Sequence, residues 1–132
     1  ANGVRVRVLA GRAAEATGAV TEIVTDPLYL DVRVPETADF QTDVPIGHSA
    51  FVYVFEGSAA IGDAVLPCGS LAVLNDGDSV RVSAADGGHT RYLLAAARPL
   101  GEPIARYGPF VMNTADEIEQ AISDFQGGRL TD

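Results

Sequence analysis

The sequence contains no lysine, although it has nine arginines and 18 acidic residues, which gives a formal net charge of −9 at pH 7. A protein that binds the phosphate backbone of nucleic acids needs a basic patch or stripe, and this charge balance disfavours such binding. The acidic residues are scattered and do not form a run, which is typical of a solvated surface. We therefore expect no direct nucleic-acid partner.

The sequence is also poor in the features from which disulfides and membrane spans are built. Its single cysteine, Cys68, cannot form an internal disulfide and has no partner at metal-ligand spacing. No apolar run is long enough to span a bilayer, and the chain does not open on a charged-then-apolar leader. We expect a soluble, cytoplasmic protein with no membrane partner. The first residue is Ala rather than Met, which suggests a trimmed or processed chain, or a piece of a longer one.

What the chain does contain is a series of short segments in which apolar and polar residues alternate. Val4, Val6 and Val8 alternate with Arg5 and Arg7, which predicts a strand with one face in water. Gly, Asp and Pro turns separate such segments, a pattern typical of an antiparallel sandwich or barrel. The predicted strands are residues 4–8, 19–25, 28–34, 40–44, 51–55, 58–61, 70–74, 80–82 and 91–97.

The C-terminal part of the sequence predicts one helix. Thr114 and Glu117 have the spacing of a capping box, in which each side chain bonds to the backbone N–H of the other residue. Four apolar residues at helical spacing then form one stripe: Ile118, Ala121, Ile122 and Phe125. Gly127-Gly128 ends the helix.

Residues 48–75 resemble the centre of a cupin, a family of small β-barrels that often hold a metal on inward-facing histidines. The second cupin motif is legible as Gly62, Pro67-Cys68-Gly69 and Asn75, but Ala72 stands where that motif has its histidine. The fold class that follows is all-β: a cupin-type antiparallel β-barrel (double-stranded β-helix or jelly roll) with a C-terminal α-helix. At 132 residues we expect a single domain. Its parts are a barrel over 4–98, an irregular segment over 99–113 and a helix over 114–126.

The histidines of a cupin metal site are missing from this sequence. The first cupin motif has two histidines one residue apart and a following glutamate. This chain has only His48 and His89, which lie in different turn regions. The carboxylates of Glu56 and Asp63 are expected at turns that face solvent. Because a metal site needs several donors converging at about 2.0–2.2 Å, we predict two loop histidines and no metal site.

The C-terminal sequence resembles the pirin family. Its most specific part is the block Gly108-Pro109-Phe110-Val111-Met112-Asn113-Thr114. Five upstream segments agree with the resemblance: residues 4–8, 28–31, 51–53, 76–80 and 99–103. The resemblance extends over essentially the whole chain, but only to the second half of a pirin.

The resemblance to pirins implies a bicupin, in which two β-barrel domains pack against each other. In that family the N-terminal barrel holds a mononuclear iron on three histidines and a glutamate, and the C-terminal barrel has lost its ligands. The resemblance therefore implies a quercetin 2,3-dioxygenase-type activity in the full-length protein. It places the iron, or another divalent metal, in an N-terminal domain outside this sequence. We assign no catalytic, cofactor-binding or metal-ligating residue to this chain, and its Ala-rich, all-Arg composition favours a bacterial origin.

Three functions stay open at this point. The first is a non-catalytic C-terminal cupin that packs on the N-terminal cupin domain of the same protein and helps wall its cavity. Five apolar residues would then form the domain interface, or would instead close the base of their own barrel: Phe110, Met112, Ile118, Ile122 and Phe125. The second is a transcriptional or metabolic co-regulator that acts through protein partners. The third is an independent small-ligand cupin, which requires an open interior rather than a packed one.

Overall fold

A computed structural model describes residues 3–20 and 23–131. The chain divides into two compact units, Ala1–Pro99 and Leu100–Asp132, which are described separately. The strands of the first unit are β1 (Arg5–Ala10), β2 (Arg12–Ala13), β3 (Ala16–Thr17), β4 (Leu28–Val34), β5 (Asp39–Asp43), β6 (Ser49–Gly57), β7 (Ala59–Ile61), β8 (Ala64–Leu66), β9 (Leu71–Val73), β10 (Ser79–Ala84) and β11 (Thr90–Ala97). The second unit contains β12 (Ala105–Tyr107), β13 (Phe110–Met112) and α1 (Ala115–Gln126).

The first unit is built around a five-stranded antiparallel sheet in the order β1-β4-β11-β6-β9. Side chains along a strand point alternately to the two faces of the sheet, and the sequence of β4 follows this period. Its buried residues are Leu28, Leu30, Val32 and Val34. The residues between them lie on the opposite face, which we call the outer face. The predicted strand over 28–34 is confirmed.

A second sheet, in the order β5-β10-β7-β8, supplies the other side of the core. Val80 and Val82 of β10 are buried, as their alternation with polar residues predicts. The buried residues of both sheets form one continuous hydrophobic cluster, because each sheet has one apolar face that must be covered. The predicted all-β class with antiparallel pairing is confirmed.

The strands of the first unit differ from the prediction in three places, of which the first is the unpredicted hairpin of β2 and β3, where Arg12 pairs with Thr17. The segment after Gly57 forms a hairpin, in which β8 returns against β7 and pairs Ile61 with Ala64. A three-residue strand is too short for its alternation to be visible in the sequence. Residues 19–25 form no strand in the part that the structure describes, where only a bridge joins Val20 to Ala10. Thr21 and Glu22 lie outside the described residues.

The second unit contains a hairpin that the sequence did not predict. Residues 99–113 were expected to be irregular, yet β12 and β13 pair, with Tyr107 opposite Phe110. Pro103 and Pro109 suggested an interrupted chain. Pro109, however, lies in the two-residue turn of the hairpin, where its missing N–H costs no ladder hydrogen bond.

The helix α1 begins and ends close to the predicted positions. The Thr114 hydroxyl accepts a hydrogen bond from the Glu117 N–H at 3.3 Å, and the Glu117 carboxylate accepts one from the Thr114 N–H at 2.9 Å. The predicted capping box is therefore confirmed. The Asn113 amide donates to the carbonyl of Pro103, which ties the start of the helix to the segment before β12. In the described residues, no helix is both long and apolar enough to cross a bilayer.

Candidate functional site in the barrel of the first unit

The space between the two sheets is filled by the barrel's own side chains. The largest of those with less than 2% relative exposure are Tyr92, Leu30, Leu94, Val32, Val34, Val52, Val54, Val82 and Thr90. All but Thr90 are hydrophobic or aromatic, and they belong to strands of both sheets. Side chains buried to this degree pack at the density of an organic crystal. The interior is therefore a packed core, which counts against a ligand cavity inside it.

Tyr92 is the largest side chain in this core. Its hydroxyl is buried and, in the part of the chain that the structure describes, has no hydrogen-bond partner. Burial raises the pKa of Tyr92 well above its ordinary value of 10.0, because the phenolate would lose its hydration. Tyr92 therefore stays neutral at physiological pH and supplies neither an anionic ligand nor a base.

His48 lies immediately before the first residue of β6. Its Nδ1 atom is buried and lacks a hydrogen-bond partner among the described residues. The side chain lines a pocket of about 280 Å³ together with Asn75 and Asp76. Arg81 and Ser79 also line it, and its apolar members are Val44, Ala50, Ile61, Leu74 and Val80. One imidazole and one carboxylate are two ligands short of a four-donor metal site.

His89 lies at the other end of β6. The register of β11 on β6 pairs Ala97 with Ser49 at the start of β6 and Thr90 with Gly57 at its end. Since His89 directly precedes Thr90, nearly the whole length of β6 separates it from the other histidine. The two imidazoles therefore belong to different ends of the barrel.

The imidazole of His89 contacts the carboxylate of Glu56, with Nε2 2.5 Å from Oε1. This hydrogen bond holds the pKa of Glu56 below its ordinary value, because it stabilises the carboxylate. The expectation that Glu56 lies at a turn is wrong, although its side chain does reach solvent. The residue is part of β6 and its side chain is 42% exposed. The pair connects β6 to the residue that precedes β11. It lies close to the point, between Arg91 and Tyr92, where the register of β11 on β6 shifts.

The described residues do not fit the iron site of a catalytic cupin barrel. Such a site needs four donors within bonding distance of one ion. His48 and His89 lie at opposite ends of β6, a strand of nine residues, which spans about 30 Å at roughly 3.3 Å per residue. Ala72, at the motif's histidine position, lies on β9 opposite Val52. In residues 3–20 and 23–131, no three His, Cys, Asp or Glu side chains are grouped so that they could hold a metal.

A bidentate ion pair joins β11 to β4 on the outer face of the five-stranded sheet. Arg91 donates from Nε to Asp31 Oδ1 at 2.9 Å and from Nη2 to Oδ2 at 2.6 Å. The guanidinium also lies 5.0 Å from the centre of the Phe55 ring, a cation–π distance. The hydrogen bonds from Arg91 hold the pKa of Asp31 below its ordinary value of 3.8.

We expect the Asp31→Asn variant to lose less stability on acidification than the unmodified chain. A carboxylate whose pKa is lowered by folding stabilises the protein above its unfolded-state pKa, and this contribution disappears as the pH falls through the folded-state value. At neutral pH the variant should be less stable by about 1 kcal/mol. Urea unfolding midpoints between about pH 2 and pH 6 measure both effects.

The matched control for this experiment is Asp63→Asn, since Asp63 is exposed in the turn between β7 and β8. Its acid profile should follow that of the unmodified chain. Identical profiles for the Asp31→Asn and Asp63→Asn variants would show that the ion pair with Arg91 does not contribute to stability.

The five residues predicted as a domain interface all belong to the second unit. Phe110 and Met112 are half-buried residues of β13, and the helix α1 contacts both strands of the hairpin. On α1, Ile118 is buried and Ile122 is half-buried. The rings of Phe110 and Phe125 meet edge to face, with centroids 6.2 Å apart, yet Phe125 remains 65% exposed. These residues thus take part in the packing of the second unit, while the ring of Phe125 stays largely exposed to solvent.

The sequence and fold match a described protein family. The model of the pirin C-terminal cupin domain matches residues 29–131. The chain belongs to the pirin family. The cupin fold predicted from the sequence is therefore confirmed, and so is the predicted resemblance to the C-terminal half of a pirin.

Members of the pirin family from distant organisms are similar to this chain. Human pirin is 39% identical over 134 residues, which covers 97% of this chain and 45% of that protein. A pirin-like protein of Caulobacter vibrioides is 38% identical over 129 residues, covering 97% and 46%. The crystal structure of a quercetin 2,3-dioxygenase from Acinetobacter baumannii superposes with a TM-score of 0.88 at 36% identity, covering 98% of this chain and 44% of that one. The chain spans about half the length of these pirin relatives.

Sequence reasoning missed the two polar pairs of this pirin domain. The partners His89 and Glu56 are 33 residues apart, and Arg91 and Asp31 are 60 apart. Neither pair forms a motif, and only the register of β11 between β6 and β4 brings the partners together. The thiol of Cys68 is exposed and forms no disulfide.

Proposed function

We propose that this chain is the non-catalytic C-terminal half of a pirin, in which it packs on a metal-bearing N-terminal cupin and helps wall its cavity. The full-length protein would act as a quercetin 2,3-dioxygenase. The observation that carries the proposal is the barrel interior, where apolar side chains occupy the core and the two histidines lie at opposite ends of β6. Such an interior supplies packing and no ligand set for iron.

The length of the relatives supports the same proposal. This chain spans 44% of the quercetin 2,3-dioxygenase that it resembles over 98% of its own length. The iron ligands would then come from the other half of the protein. A barrel without ligands can still serve the reaction, because it excludes water from one side of the neighbouring cavity.

We further propose that five apolar residues of the second unit belong to the interface with the N-terminal barrel. The interface residues would be Phe110, Met112, Ile118, Ile122 and Phe125. The support for this is the exposure of Phe125, which is 65% solvent-accessible although large aromatic rings dominate the energetics of interfaces. The edge-to-face contact with Phe110 would orient the ring toward its partner.

The proposal can be tested by expressing this chain and the upstream half of the same protein separately and together. We expect the chain alone to give neither bound iron nor oxygen uptake with quercetin. The upstream half should bind iron, and addition of this chain should restore turnover. Stoichiometric iron in this chain alone, or turnover by it, would overturn the proposal that the upstream half holds the iron and this half is non-catalytic.

The interface part of the proposal has its own readout, which is the affinity between the two halves. Phe125→Ser should weaken their association by about tenfold or more, since burial of a phenyl ring is worth about 1.5–3 kcal/mol. The matched control is Val111→Ser, because Val111 is a 58% exposed residue of β13 outside the stripe. Circular dichroism of each variant confirms that α1 is retained. Equal affinities for the two variants would exclude the stripe from the interface.

A further inference from the structure

Three arginines form a row across the outer face of the five-stranded sheet. Arg33 on β4 lies directly opposite Arg5 on β1 and opposite Arg91 on β11. Arg7 extends the group, since it lies opposite Asp31 on the same face. We call these four residues the arginine cluster, and together they line one surface depression of about 370 Å³. Like charges placed directly opposite each other destabilise a sheet, so the cluster is unfavourable for the isolated fold.

Three of the four arginines of the cluster form no ion pair with the described residues. Arg91 is paired with Asp31. Arg5, Arg7 and Arg33 are exposed, and no carboxylate of the described residues lies within ion-pair distance of them. Cross-strand ion pairs would have stabilised the sheet at these positions. Among residues 3–20 and 23–131, this surface thus presents three guanidinium groups that form no ion pair.

This arrangement is notable because the chain as a whole is acidic, with 18 acidic residues against nine arginines. Two carboxylates attract members of the cluster, since Asp31 interacts electrostatically with Arg7 and Glu56 with Arg33. Both are already engaged, Asp31 by Arg91 and Glu56 by His89. A local excess of positive charge in a protein of net charge −9 favours an anionic partner at that place.

An apolar patch lies beside the arginine cluster on the same outer face. Its members are the exposed aromatic and aliphatic side chains Tyr29, Phe51, Tyr53, Leu71 and Val73, whose exposed fractions run from 36% to 77%. The register places them side by side, with Phe51 opposite Val73 and Tyr53 opposite Leu71. Exposed apolar patches of this kind mark interaction sites, and Tyr, Phe and Arg are enriched in protein–protein interfaces.

We propose that the outer face of the five-stranded sheet docks a protein segment that carries carboxylates beside apolar side chains. The carboxylates would pair with Arg5, Arg7 and Arg33, and the apolar side chains would cover the patch around Phe51 and Tyr53. A small molecule is a poorer occupant, because small-molecule sites are concave and enclose most of their ligand, whereas the arginines of this face are exposed.

A second copy of the chain bound through the same face is also a poorer occupant. A symmetric pair centred on the arginine cluster would bring two such clusters together, and like charges across an interface cost several kcal/mol. The partner is therefore a different surface of opposite charge. The inference does not depend on the interface proposed for the second unit, since no residue of that unit takes part in it.

The test uses fluorescein-labelled peptides and fluorescence anisotropy with the unmodified chain. The main probe has a run of glutamates followed by Phe and Leu residues spaced by Ser. One comparison peptide has Lys in place of Glu, and the other has Ser in place of Phe and Leu. We expect the main probe to bind at least about tenfold more tightly than either comparison peptide. Absence of binding, or equal binding of the Lys peptide, would overturn the proposal.

Two pairs of variants assign the binding to the outer face. Arg33→Glu should weaken binding of the main probe by about tenfold or more, while Arg106→Glu, an exposed arginine of the second unit, should leave it within about twofold. Val73→Ser should likewise weaken it by several-fold, whereas Val65→Ser on β8 should not. All four residues are exposed, so the variants are expected to fold. Equal loss in the variant and control of either pair would show that the probe binds elsewhere.

Discussion

Replacement of Gly57 by alanine is expected to lower the free energy of unfolding by about 3 kcal/mol or more. Gly57 ends β6 with a φ of +70°, and an added Cβ would overlap the carbonyl oxygen of His89. That oxygen belongs to the backbone of the neighbouring chain segment and cannot rotate away. The sheet would have to separate where Gly57 pairs with Thr90, which also disrupts the contact between His89 and Glu56.

The control for this substitution is Gly69→Ala. Gly69 also has a positive φ, +86°, but a Cβ there would meet no atom within 4 Å. The free energy of unfolding should therefore fall by only about 1–2 kcal/mol, which is the cost of holding a residue with a side chain in the left-handed conformation. Urea denaturation with equal m-values measures both losses. Similar losses for the two variants would contradict the close approach of Gly57 to His89.

Replacement of Leu30 by alanine is expected to lower the free energy of unfolding by about 3–4 kcal/mol. Leu30 is completely buried in the centre of β4, where it pairs with Val8 on one side and Leu94 on the other. Removing its side chain loses transfer free energy and leaves a cavity that neighbours on two strands cannot fill. Thermal or urea unfolding followed by circular dichroism measures the loss.

The matched control is Leu71→Ala on the outer face. Leu71 is 57% exposed, so its truncation should change the stability of the isolated chain by no more than about 0.5 kcal/mol. The comparison separates the face that holds the fold together from the face proposed to dock a partner. Equal losses for Leu30 and Leu71 would mean that the outer face is part of a folded core.

Local patterns in the sequence were sufficient for several parts of the fold. Alternation over residues 28–34 predicted both the strand and its buried face, because a strand turns alternate side chains to opposite sides. The capping box of Thr114 and Glu117 predicted the start of α1, because both of its hydrogen bonds are made within one helical turn. Such features depend on neighbours in the chain and need no tertiary information.

Strand β8 and the hairpin of β12 and β13 escaped prediction for a physical reason. These three strands have three residues each, and a period of two is hard to recognise over so short a length. They are held by cross-strand hydrogen bonds that the sequence pattern does not encode. In the hairpin of β12 and β13, a proline that suggested irregular chain lies in the turn instead.

The sequence by itself determined that this chain is an all-β domain with two histidines, too few for the metal site of a catalytic cupin. Only the tertiary structure decided where those histidines lie, because the register of β11 on β6 puts His48 and His89 at opposite ends of one strand. The same pairing set the contacts of His89 with Glu56 and of Arg91 with Asp31. It also aligned Arg5, Arg33 and Arg91 in one row. Pairings between distant segments depend on how whole sheet faces are buried, and local sequence does not specify them.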